Sequence, residues 1–410
     1  MTGGLALSPR RRRFVSSGED DHALRVARQR VLLAILVYNG RAFVPACLES
    51  AAGARVGHRD VDVLVLDDAS PDEGWSEELR GLCEAFDFGY YRSPRNIGIP
   101  RNMNLGLARA VAGGYDYVFI LNSDIVMPLN MVGAMIKVAE ANAGVGSVTA
   151  WSNNVSVFSL PNSDDSGTLK RQDMVDWVSG VLEQEFGASA LDIPTGVGFC
   201  LLIPVPVIAK VGLFDPVYGR GYCEEVDWCL RSRARGYRAV LAPSVFVFHQ
   251  GSGSTVDAGM LAHRATTVAE HEHIVDLRYP WYRTDVQAFL DSNALHPVAS
   301  RALRAIVFHA TAWLGYDVEA TWAPGPYTGS RVRYVVDPDG RSSCVDIDFC
   351  GFRLTLDVPG GDLTAQLQDV PGTAPARIVV HDRGLFVDQL EAVWGDSVPF
   401  DDLCSYPQRV

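Results

Sequence analysis

The chain has 410 residues, about twice what one compact core comfortably supports, so we expect two or three folded units. Apolar residues make up 48% and charged residues 21%, a globular composition that excludes a mainly disordered, collagenous or multi-span membrane protein. The net charge of −13 argues against a nucleic-acid partner and is compatible with a bound divalent cation.

The beginning of the chain and its cysteines bear on the expected compartment. Residues 1–28 are polar and rich in arginine, which predicts a mobile arm. No secretory signal follows Arg10–Arg13, because FVSSGEDDHALR contains no apolar stretch. The 8 cysteines include no CxxC pair, which favours buried free thiols in a cytoplasmic protein over disulfides or a zinc site.

Short apolar runs then alternate with helical stretches. Strands are predicted at 31–38, 61–66, 90–91 and 117–122, and helices at 43–52, 77–86, 102–112 and 128–142. Runs such as VLLAILVY and YVFILN suit strands that are covered on both faces. The alternation predicts an α/β fold with a mostly parallel sheet and helices on both sides.

One later window resembles a membrane segment in its apolar content. Residues 196–214 contain Pro204, Pro206 and Lys210, which favours a buried strand and turn over a spanning helix. We therefore expect a soluble protein with no integral membrane segment.

The character of the chain changes after about Gly253. Residues 256–325 form, by prediction, a mainly helical segment rich in histidine, arginine and aromatic residues. Farther on, VRYVVD, CVDIDF, FRLTLDV and ARIVVHD alternate with period two between turn sequences. That pattern predicts a small antiparallel, β-rich unit within residues 326–410.

Polar side chains follow two of the predicted strands at the edge where parallel sheets bind ligands. Asp67 and Asp68 could accept the imide N–H of a pyrimidine base and the ribose hydroxyls, or could form an Asx turn that satisfies their own loop. The segment Asn122–Ser123–Asp124 follows the fourth strand, and Asp124 is the evident ligand for a hard divalent cation. The alternative for Asp124 is an ordinary turn or cap residue.

The stretch PRNIGIPRNMNLGLA, residues 94–108, mixes asparagine and glycine where a loop enters a helix. A helix N-terminus attracts phosphate through its free N–H groups, and Arg95 and Arg101 favour a pyrophosphate nearby. An ordinary capped helix is the alternative.

Glu224, Glu225 and Asp227 lie in the first turn of a predicted helix, where the helix dipole alone favours acidic residues. Glu225 shares a helical face with Trp228 and Cys229, so we expect its carboxylate to point inward. A carboxylate held in a cleft could take a proton from a hydroxyl.

His249 ends the apolar run VFVFH and precedes GSGS. It could be a core histidine with its hydrogen bonds satisfied, or it could complete a metal site opposite Asp124.

The order of these clusters resembles the inverting, family-2-type nucleotide-sugar glycosyltransferases with the GT-A fold, especially bacterial rhamnosyl-, galactosyl- and galactofuranosyltransferases. The resemblance covers about residues 31–255. It rests on LVYNGR at 36–41, on Asp67, Asp68 and Ser70, on Asn96, Gly98, Asn104 and Gly106, on Asn122–Asp124, on Gly198 through Asp215, on Glu224, Glu225, Asp227 and Arg231, and on His249. Two positions depart from the family: Asn122 replaces the first D-x-D carboxylate, and Glu225 replaces the usual aspartate base.

The resemblance implies a Rossmann-like GT-A domain over residues 29–255 that moves a sugar from a nucleoside-diphosphate sugar to an acceptor hydroxyl with inversion. UDP or dTDP is expected rather than GDP, and the acceptor would be a carbohydrate, a lipid-linked glycan or a small molecule. Mg²⁺ or Mn²⁺ would bind Asp124 and His249, while Glu225 would act as base with Glu224 and Asp227 beside it. Donor contacts are expected from Tyr38, Asn39, Asp67, Asp68, Arg95, Asn96, Gly98, Arg101, Asn104, Asn122 and Ser123.

Two other functions stay open. A sugar nucleotidyltransferase needs a glycine-rich basic loop after its first strand, which LVYNGRAFVP does not provide. A catalytically inactive sugar-nucleotide-binding or assembly subunit would be indicated by loss of the acidic helix and the metal aspartate, and both are present. We expect the helical segment 256–325 to flank the acceptor, and the β-rich unit to be a lid, an acceptor module or a homo-oligomer contact.

Overall fold

The computed structural model describes most of the chain between residues 29 and 402. The predicted arm at 1–28 lies outside the described residues. The described ranges are 29–56, 60–155, 157–160, 170–251, 264–322, 331–337, 343–349, 352–358, 374–382, 384–395 and 397–402.

The part of the chain up to His249 forms a large α/β unit. Its strands are β1 (Val31–Val37), β2 (Val61–Asp67), β3 (Gly89–Arg92), β4 (Tyr117–Asn122), β5 (Ile125–Val126), β6 (Val145–Trp151), β7 (Leu191–Ile193), β8 (Cys200–Pro204), β9 (Arg238–Phe246) and β10 (Phe248–His249). Its helices are α1 (Val44–Ala54), α2 (Trp75–Ala85), α3 (Ile99–Gly113), α4 (Met131–Ala141), α5 (Gln172–Phe186), α6 (Val205–Val211) and α7 (Glu224–Arg233). The predicted alternation of strands and helices up to residue 142 is confirmed.

Eight strands form one sheet in the order β3-β2-β1-β4-β8-β6-β9-β7, and β10 pairs with β5 in a separate ribbon. β1 is parallel to both β2 and β4. β8 is antiparallel to β4 and to β6, so β6 and its parallel neighbour β9 run in the same direction as β4. The carboxyl ends of β2, β4 and β9 therefore lie at one edge of the sheet, where the polar clusters of the sequence also occur.

Burial on both faces explains the apolar strands. All seven residues of β1 are buried. Leu33 and Ile35 join the cluster that contains α1 and α4, whereas Leu32 and Ala34 join the cluster that contains α3 and α6. Helices thus cover both sides of the sheet, as predicted. Five cysteines with described side chains are free, and four of them are buried: Cys47, Cys83, Cys200 and Cys229, with Cys223 half-buried.

The apolar window 196–214 differs in part from its prediction. It contains the buried strand β8, but the residues after it form α6 rather than only a turn. Pro204 is the N-cap of α6 and Pro206 lies in its first turn, where the N–H that proline lacks has no partner within the helix. The two prolines therefore start this helix instead of preventing it.

Three helices follow the large unit: α8 (Arg264–Arg278), α9 (Tyr282–Asp291) and α10 (Leu295–Leu314). This confirms the helical pattern predicted after residue 256. The ring of Trp313 on α10 lies 6.2 Å from that of Trp177 on α5. None of the helices in the described ranges combines the length and the apolar character needed to cross a membrane.

The last part of the described chain forms a six-stranded sheet. Its strands are β11 (Tyr316–Ala320), β12 (Val332–Val336), β13 (Ser343–Phe349), β14 (Phe352–Val358), β15 (Arg377–Val380) and β16 (Phe400–Asp402), with helix α11 (Leu385–Trp394) between the last two. The prediction of an antiparallel unit is correct only for β12, β13 and β14. β11 is parallel to β12 and β15, and β15 is parallel to β16. Alternation with period two marks a half-buried strand but not its direction, and α11 provides the crossover that a parallel pair needs.

Candidate active site

Asp67, the last residue of β2, is fully buried, and its carboxylate is held by the protein. Oδ1 accepts hydrogen bonds from the backbone N–H of Ser70 (2.9 Å) and from its hydroxyl (2.6 Å). Oδ2 accepts from the hydroxyl of Tyr90 (2.8 Å) and from the guanidinium of Arg92. The Ser70 contacts satisfy the loop locally, as the alternative for this position expected, but through the residue three positions on instead of the two of an Asx turn.

Asp68 connects β2 to the loop before α3. Its two carboxylate oxygens accept from the backbone N–H of Ile97 (2.7 Å) and of Gly98 (2.9 Å). Burial raises the pKa of Asp68, and the two amide hydrogen bonds oppose that shift. Gly98 has φ +83°, and a Cβ there would lie 2.0 Å from the carbonyl oxygen of Gly219. Only glycine fits at this position, which brings the Asp68 loop against the segment that leads into α7.

The other residues predicted around α3 divide into two groups. Arg95, Asn96 and Arg101 are exposed on the surface beside this loop. The side-chain amide of Asn104, by contrast, makes two hydrogen bonds to the backbone of Phe214, at 2.9 and 2.8 Å. Asn104 therefore holds the chain before α7 and does not face the N-terminus of α3.

The segment after β1 contributes a free oxygen. Asn39 has φ +55°, and its backbone N–H donates to Ser70 Oγ at 2.8 Å. Its side-chain Oδ1 is buried and has no hydrogen-bond partner among the described residues. Tyr38 beside it is half-buried. Asn39 can therefore accept a hydrogen bond from a ligand without breaking a contact within the protein.

Asp124 and His249 are brought together by the ribbon of β5 and β10, in which His249 lies opposite Ile125. His249 Nε2 is 3.4 Å from Asp124 Oδ1, too long for a strong hydrogen bond. That oxygen is buried and has no hydrogen-bond partner within the described ranges. Ser123, beside it, is also buried.

The histidine ring is fixed in one tautomer. Its Nδ1 lies 2.9 Å from the carbonyl oxygen of Asn154, which can only accept, so Nδ1 carries the proton. The side chain of Asn153 makes hydrogen bonds of 2.8 and 3.0 Å to the backbone of His249. Burial lowers the pKa of His249, but the neighbouring Asp124 carboxylate outweighs this effect and the net pKa is raised. In the neutral ring Nε2 presents a lone pair toward Asp124.

The donor set of this pair fits a divalent cation. A buried carboxylate oxygen without a partner and an imidazole oriented through its second nitrogen are both typical of metal ligands. No group of three His, Cys, Asp or Glu side chains that could hold a metal occurs in the part of the chain that the structure describes. The described protein thus offers two ligands of this kind at this position.

Glu224 and Glu225 begin α7, and each has a buried Oε2 without a hydrogen-bond partner among the residues described. Burial raises the pKa of Glu224 well above its usual range, and the charge of Glu225 raises it further. Burial likewise raises the pKa of Glu225. A carboxylate whose protonated form is favoured in this way is suited to accept a proton.

The approach to these glutamates has an unusual backbone. Gly221, Tyr222 and Cys223 have φ angles of +120°, +74° and +71° in succession. Two of the three are not glycine, and the left-handed region is costly for such residues unless the surroundings hold them there. Such conformations are common at functional sites.

The separate clusters converge through residues 198 and 199. A Cβ at Gly198 would lie 3.7 Å from Cδ of Glu225. The carbonyl of Phe199 accepts a hydrogen bond from the backbone N–H of Asn122 at 2.9 Å. The ring of Phe199 stacks on that of His249, with the ring centroids 5.2 Å apart. The glutamate helix, the end of β4 and the histidine ribbon therefore surround one short backbone segment.

Asp227 differs from the two glutamates. It is fully buried and accepts from Arg231 Nε (2.8 Å), Arg278 Nη1 (2.9 Å) and the hydroxyl of Tyr279 (2.9 Å). Its contacts suit an anchor of α7 better than a free proton acceptor. Arg278 and Tyr279 lie after the region of family resemblance, and they were not among the predicted site residues.

Residues 33–200 match the sequence profile of the family described as Glycosyl transferase family 2. No curated protein matches the chain. The matched range contains Asp67, Asp68 and Asn122–Asp124 and ends before Glu224 and His249.

Solved structures with a similar fold include a mannosyltransferase from Pyrobaculum calidifontis in complex with GDP-Man and Mn²⁺ (17% identity, 70% of this chain and 76% of that chain covered, TM-score 0.45). GalNAc-T7 with UDP, GalNAc and Mn²⁺ is similar over 54% of this chain and 44% of its own, at 14% identity and a TM-score of 0.41. S. aureus TarS 1–349 is similar over 68% of this chain and 80% of its own, at 12% identity and a TM-score of 0.40. The similarity to the Glycosyl transferase family 2 profile therefore covers residues 33–200 of the α/β unit.

Proposed function

We propose that this protein is a metal-dependent glycosyltransferase that moves a sugar from a nucleoside-diphosphate sugar to an acceptor hydroxyl with inversion. The observation that carries the proposal is the convergence of three groups around Gly198 and Phe199. These are the glutamates of α7, whose Oε2 atoms lack partners among the described residues, the Asp124–His249 pair and the end of β4. A reaction that needs both a base and a charged leaving group is served by this arrangement.

The nucleoside diphosphate would lie along the carboxyl edge of the sheet. The backbone N–H of Asn39 binds Ser70, two residues from Asp68. The Oδ1 of Asn39, which has no partner among the described residues, would face the nucleoside of a UDP or dTDP sugar. Asp67 would contribute by holding the loop, since its oxygens are occupied. The exposed Arg95 and Arg101 beside the N-terminus of α3 are suited to the diphosphate, with Asn96, Gly98 and Tyr38 lining the same edge.

Asp124 and His249 would hold Mg²⁺ or Mn²⁺, with Asn122 and Ser123 in the adjoining backbone. When bound, such a cation supplies positive charge to the diphosphate leaving group. Asn154 keeps Nε2 of His249 available by binding the opposite ring nitrogen, and Asn153 fixes the backbone that presents the ring.

Glu225 would take the proton from the attacking hydroxyl. Its side chain comes within 3.7 Å of a Cβ at Gly198, and a raised pKa lets its carboxylate accept a proton near neutral pH. Glu224 diverges from it by about 100° around the helix, so it would orient the acceptor or assist the first turn. A base on the face opposite the leaving group accounts for inversion.

The remaining parts of the proposal follow from the family resemblance and from the arrangement of the chain. The acceptor would be a carbohydrate, a lipid-linked glycan or a small molecule in bacterial glycan or natural-product synthesis, and the protein would act in the cytoplasm. Residues 256–325 would flank the acceptor, and residues 326–410 would form a lid, an acceptor module or a homo-oligomer contact.

The test is release of nucleoside diphosphate from a panel of UDP, dTDP and GDP sugars, with Mn²⁺, with Mg²⁺ and with excess chelator. We expect a UDP or dTDP sugar to release its nucleoside diphosphate, and we expect this release to require the metal. Thermal stabilisation by a donor without any release would favour the inactive binding subunit, because a ligand that binds only the folded state raises stability. Release of pyrophosphate from a nucleoside triphosphate and a sugar phosphate would favour a nucleotidyltransferase. If no donor gave either stabilisation or release, the proposal would be contradicted.

A further inference from the structure

Residues 215–227 comprise the loop before α7 and the first turn of that helix with its two glutamates. Helix α8 contacts this segment at the start, in the middle and at the end of the segment. At the start, Arg278 Nη1 donates to Asp215 Oδ2 at 2.8 Å. In the middle, His271 Nδ1 lies 2.8 Å from the carbonyl oxygen of Gly221. At the end, the same Nη1 of Arg278 donates to Asp227 Oδ1 at 2.9 Å. Glu224 and Glu225 lie between the second and third of these contacts.

The contacts come from one face of α8. His271 and Arg278 are seven residues apart, about two helical turns, so they lie on the same side of the helix. Between them Val275 packs with Tyr218 and Leu230 in a small buried cluster, with Ile274 beside it. His271 is itself buried and meets the ring of Tyr218 edge-on at 5.5 Å. This face of α8 is thus built to fit the loop and α7.

The loop needs such support. Gly221, Tyr222 and Cys223 all have positive φ, and residues in that region persist only when their surroundings hold them there. Asp215 also caps the turn at Pro216–Tyr218 by accepting from the backbone N–H of Val217 at 2.9 Å. One arginine therefore joins a carboxylate before the strained turn to a carboxylate after it.

We infer that Arg278 is a positioning residue for the glutamates, so that α8, outside the matched range 33–200, is an integral part of the active site. The inference rests on the proposed function for its catalytic consequence, but the fixing of the loop is a property of the chain itself. Arg278 acts through Asp215 and Asp227 and does not touch the reacting atoms.

The charge balance predicts which variants keep the fold. Asp227 also binds Arg231, so loss of Arg278 leaves this buried carboxylate with one cation partner and the Tyr279 hydroxyl. Because both carboxylates are met by the single nitrogen Nη1, the ammonium of a lysine can still bridge them, although it loses the stacking of the guanidinium on the Tyr218 ring. Arg278→Met should therefore loosen the loop in a folded protein, and Arg278→Lys should restore it.

The matched control is Arg283. It lies in the first turn of α9 and binds Asp276 and Glu272 of α8 at the exposed surface. Among the described residues it makes no hydrogen bond or ion pair to α7. Arg283→Met should leave both the loop and turnover unchanged, since exposed ion pairs contribute little.

The primary measurement is amide hydrogen exchange of the peptide that covers residues 215–227. We expect exchange at least about tenfold faster in Arg278→Met, with protection near wild type in Arg278→Lys and Arg283→Met. Unchanged protection in Arg278→Met would overturn the inference whatever the activity. If Arg278→Met does not fold, Tyr279→Phe removes one hydrogen bond from the same carboxylate and should raise exchange in this peptide alone. Unchanged exchange there would overturn the inference.

The second measurement is steady-state transfer with the donor found active. Displacement of a base by about 1 Å can cost about 100-fold in rate, so kcat should fall by about tenfold to 100-fold in Arg278→Met while the donor KM stays within about twofold. Arg278→Lys should recover most of that loss. Equal losses in the lysine and methionine variants, or a loss confined to donor KM, would contradict a positioning role. Absence of transfer in the wild type would instead reject the proposed function, while the exchange measurement would still decide the inference.

Discussion

Two pairs of adjacent carboxylates lie at the candidate site, and their oxygens have opposite surroundings. The pair after β2, Asp67 and Asp68, is buried with its oxygens bonded to hydroxyl, guanidinium and amide donors. The pair at the start of α7, Glu224 and Glu225, has a buried Oε2 on each side chain without a partner among the described residues. The first pair is suited to hold loops, and the second is available to accept a proton. Adjacent acids thus reveal their roles through the donors around them, not through their spacing.

The largest effect is expected at Asp124, the proposed metal ligand. Asp124→Ala should abolish the metal-dependent part of donor binding, because Asp124 Oδ1 and His249 Nε2 form the proposed ligand pair. The measurement is donor affinity by calorimetry with Mn²⁺ and with chelator. Asp192→Ala, at an exposed ion pair with Arg238, is the control and should bind as wild type. Donor binding that depends on metal in Asp124→Ala would remove Asp124 from the site.

Asp67 should matter mainly for stability. Asp67→Ala leaves Tyr90, Arg92 and Ser70 without their buried acceptor, and removing one member of a buried pair costs about 3 kcal/mol. Urea denaturation measures this loss. Glu78→Ala, at an exposed pair with Arg41, is the control and should change stability by less than about 1 kcal/mol. A stable Asp67→Ala variant with weakened donor binding would place Asp67 among the donor ligands and break the comparison.

Replacing Glu224 should change the folding stability in the opposite direction to replacing Asp67. Its raised pKa means that the folded state favours the protonated carboxyl, whose stabilisation is present at low pH and is lost as pH rises through the raised pKa. Glu224→Gln should therefore stabilise the protein near neutral pH, because glutamine cannot ionise and so removes the cost of a buried charge. The gain should shrink toward acidic pH, where the carboxyl is protonated in both states. Unfolding curves at several pH values measure it, and a destabilised Glu224→Gln at neutral pH would contradict the assignment of a free carboxylate.

The smallest effect is expected at Asp68. Asp68→Asn keeps the size of the side chain but weakens one of two hydrogen bonds to the amides of Ile97 and Gly98, at a cost of about 1 kcal/mol. We also expect donor KM to rise more than kcat falls, since the loop borders the proposed nucleoside site. If stability alone changes, Asp68 serves only the loop.

The sequence predicted where the polar side chains gather better than it predicted the contacts of each side chain. Long apolar runs such as those of β1 and β4 identified the parallel strands, and the polar residues after them marked the edge. The partners of Asp67 lie at Tyr90 and Arg92, more than twenty residues away, and no local pattern shows that they meet. The contact with Ser70, only three residues from Asp67, is local, and a local turn was one of the two alternatives for this position.

The elements that were missed have identifiable causes. β6 contains the buried Ser147 and Thr149, which weaken the apolar signal of a strand. The directions of β11, β15 and β16 cannot be read from alternation, because it is the same in parallel and antiparallel strands. The role of α8 had a readable signal: His271, Ile274, Val275 and Arg278 recur at helical spacing, with polar groups at both ends of an apolar face.

The most direct test of the central claim is turnover of Glu225→Gln. Glutamine keeps the size of the side chain and removes the proton acceptor. The account predicts that kcat falls by about 10²–10⁴ while donor affinity and thermal stability stay at or above wild type. Glu224→Gln, measured beside it, should lose less turnover and raise acceptor KM more. Unchanged turnover in both variants would show that α7 does not carry the base, and a larger loss in Glu224→Gln would transfer that role to Glu224.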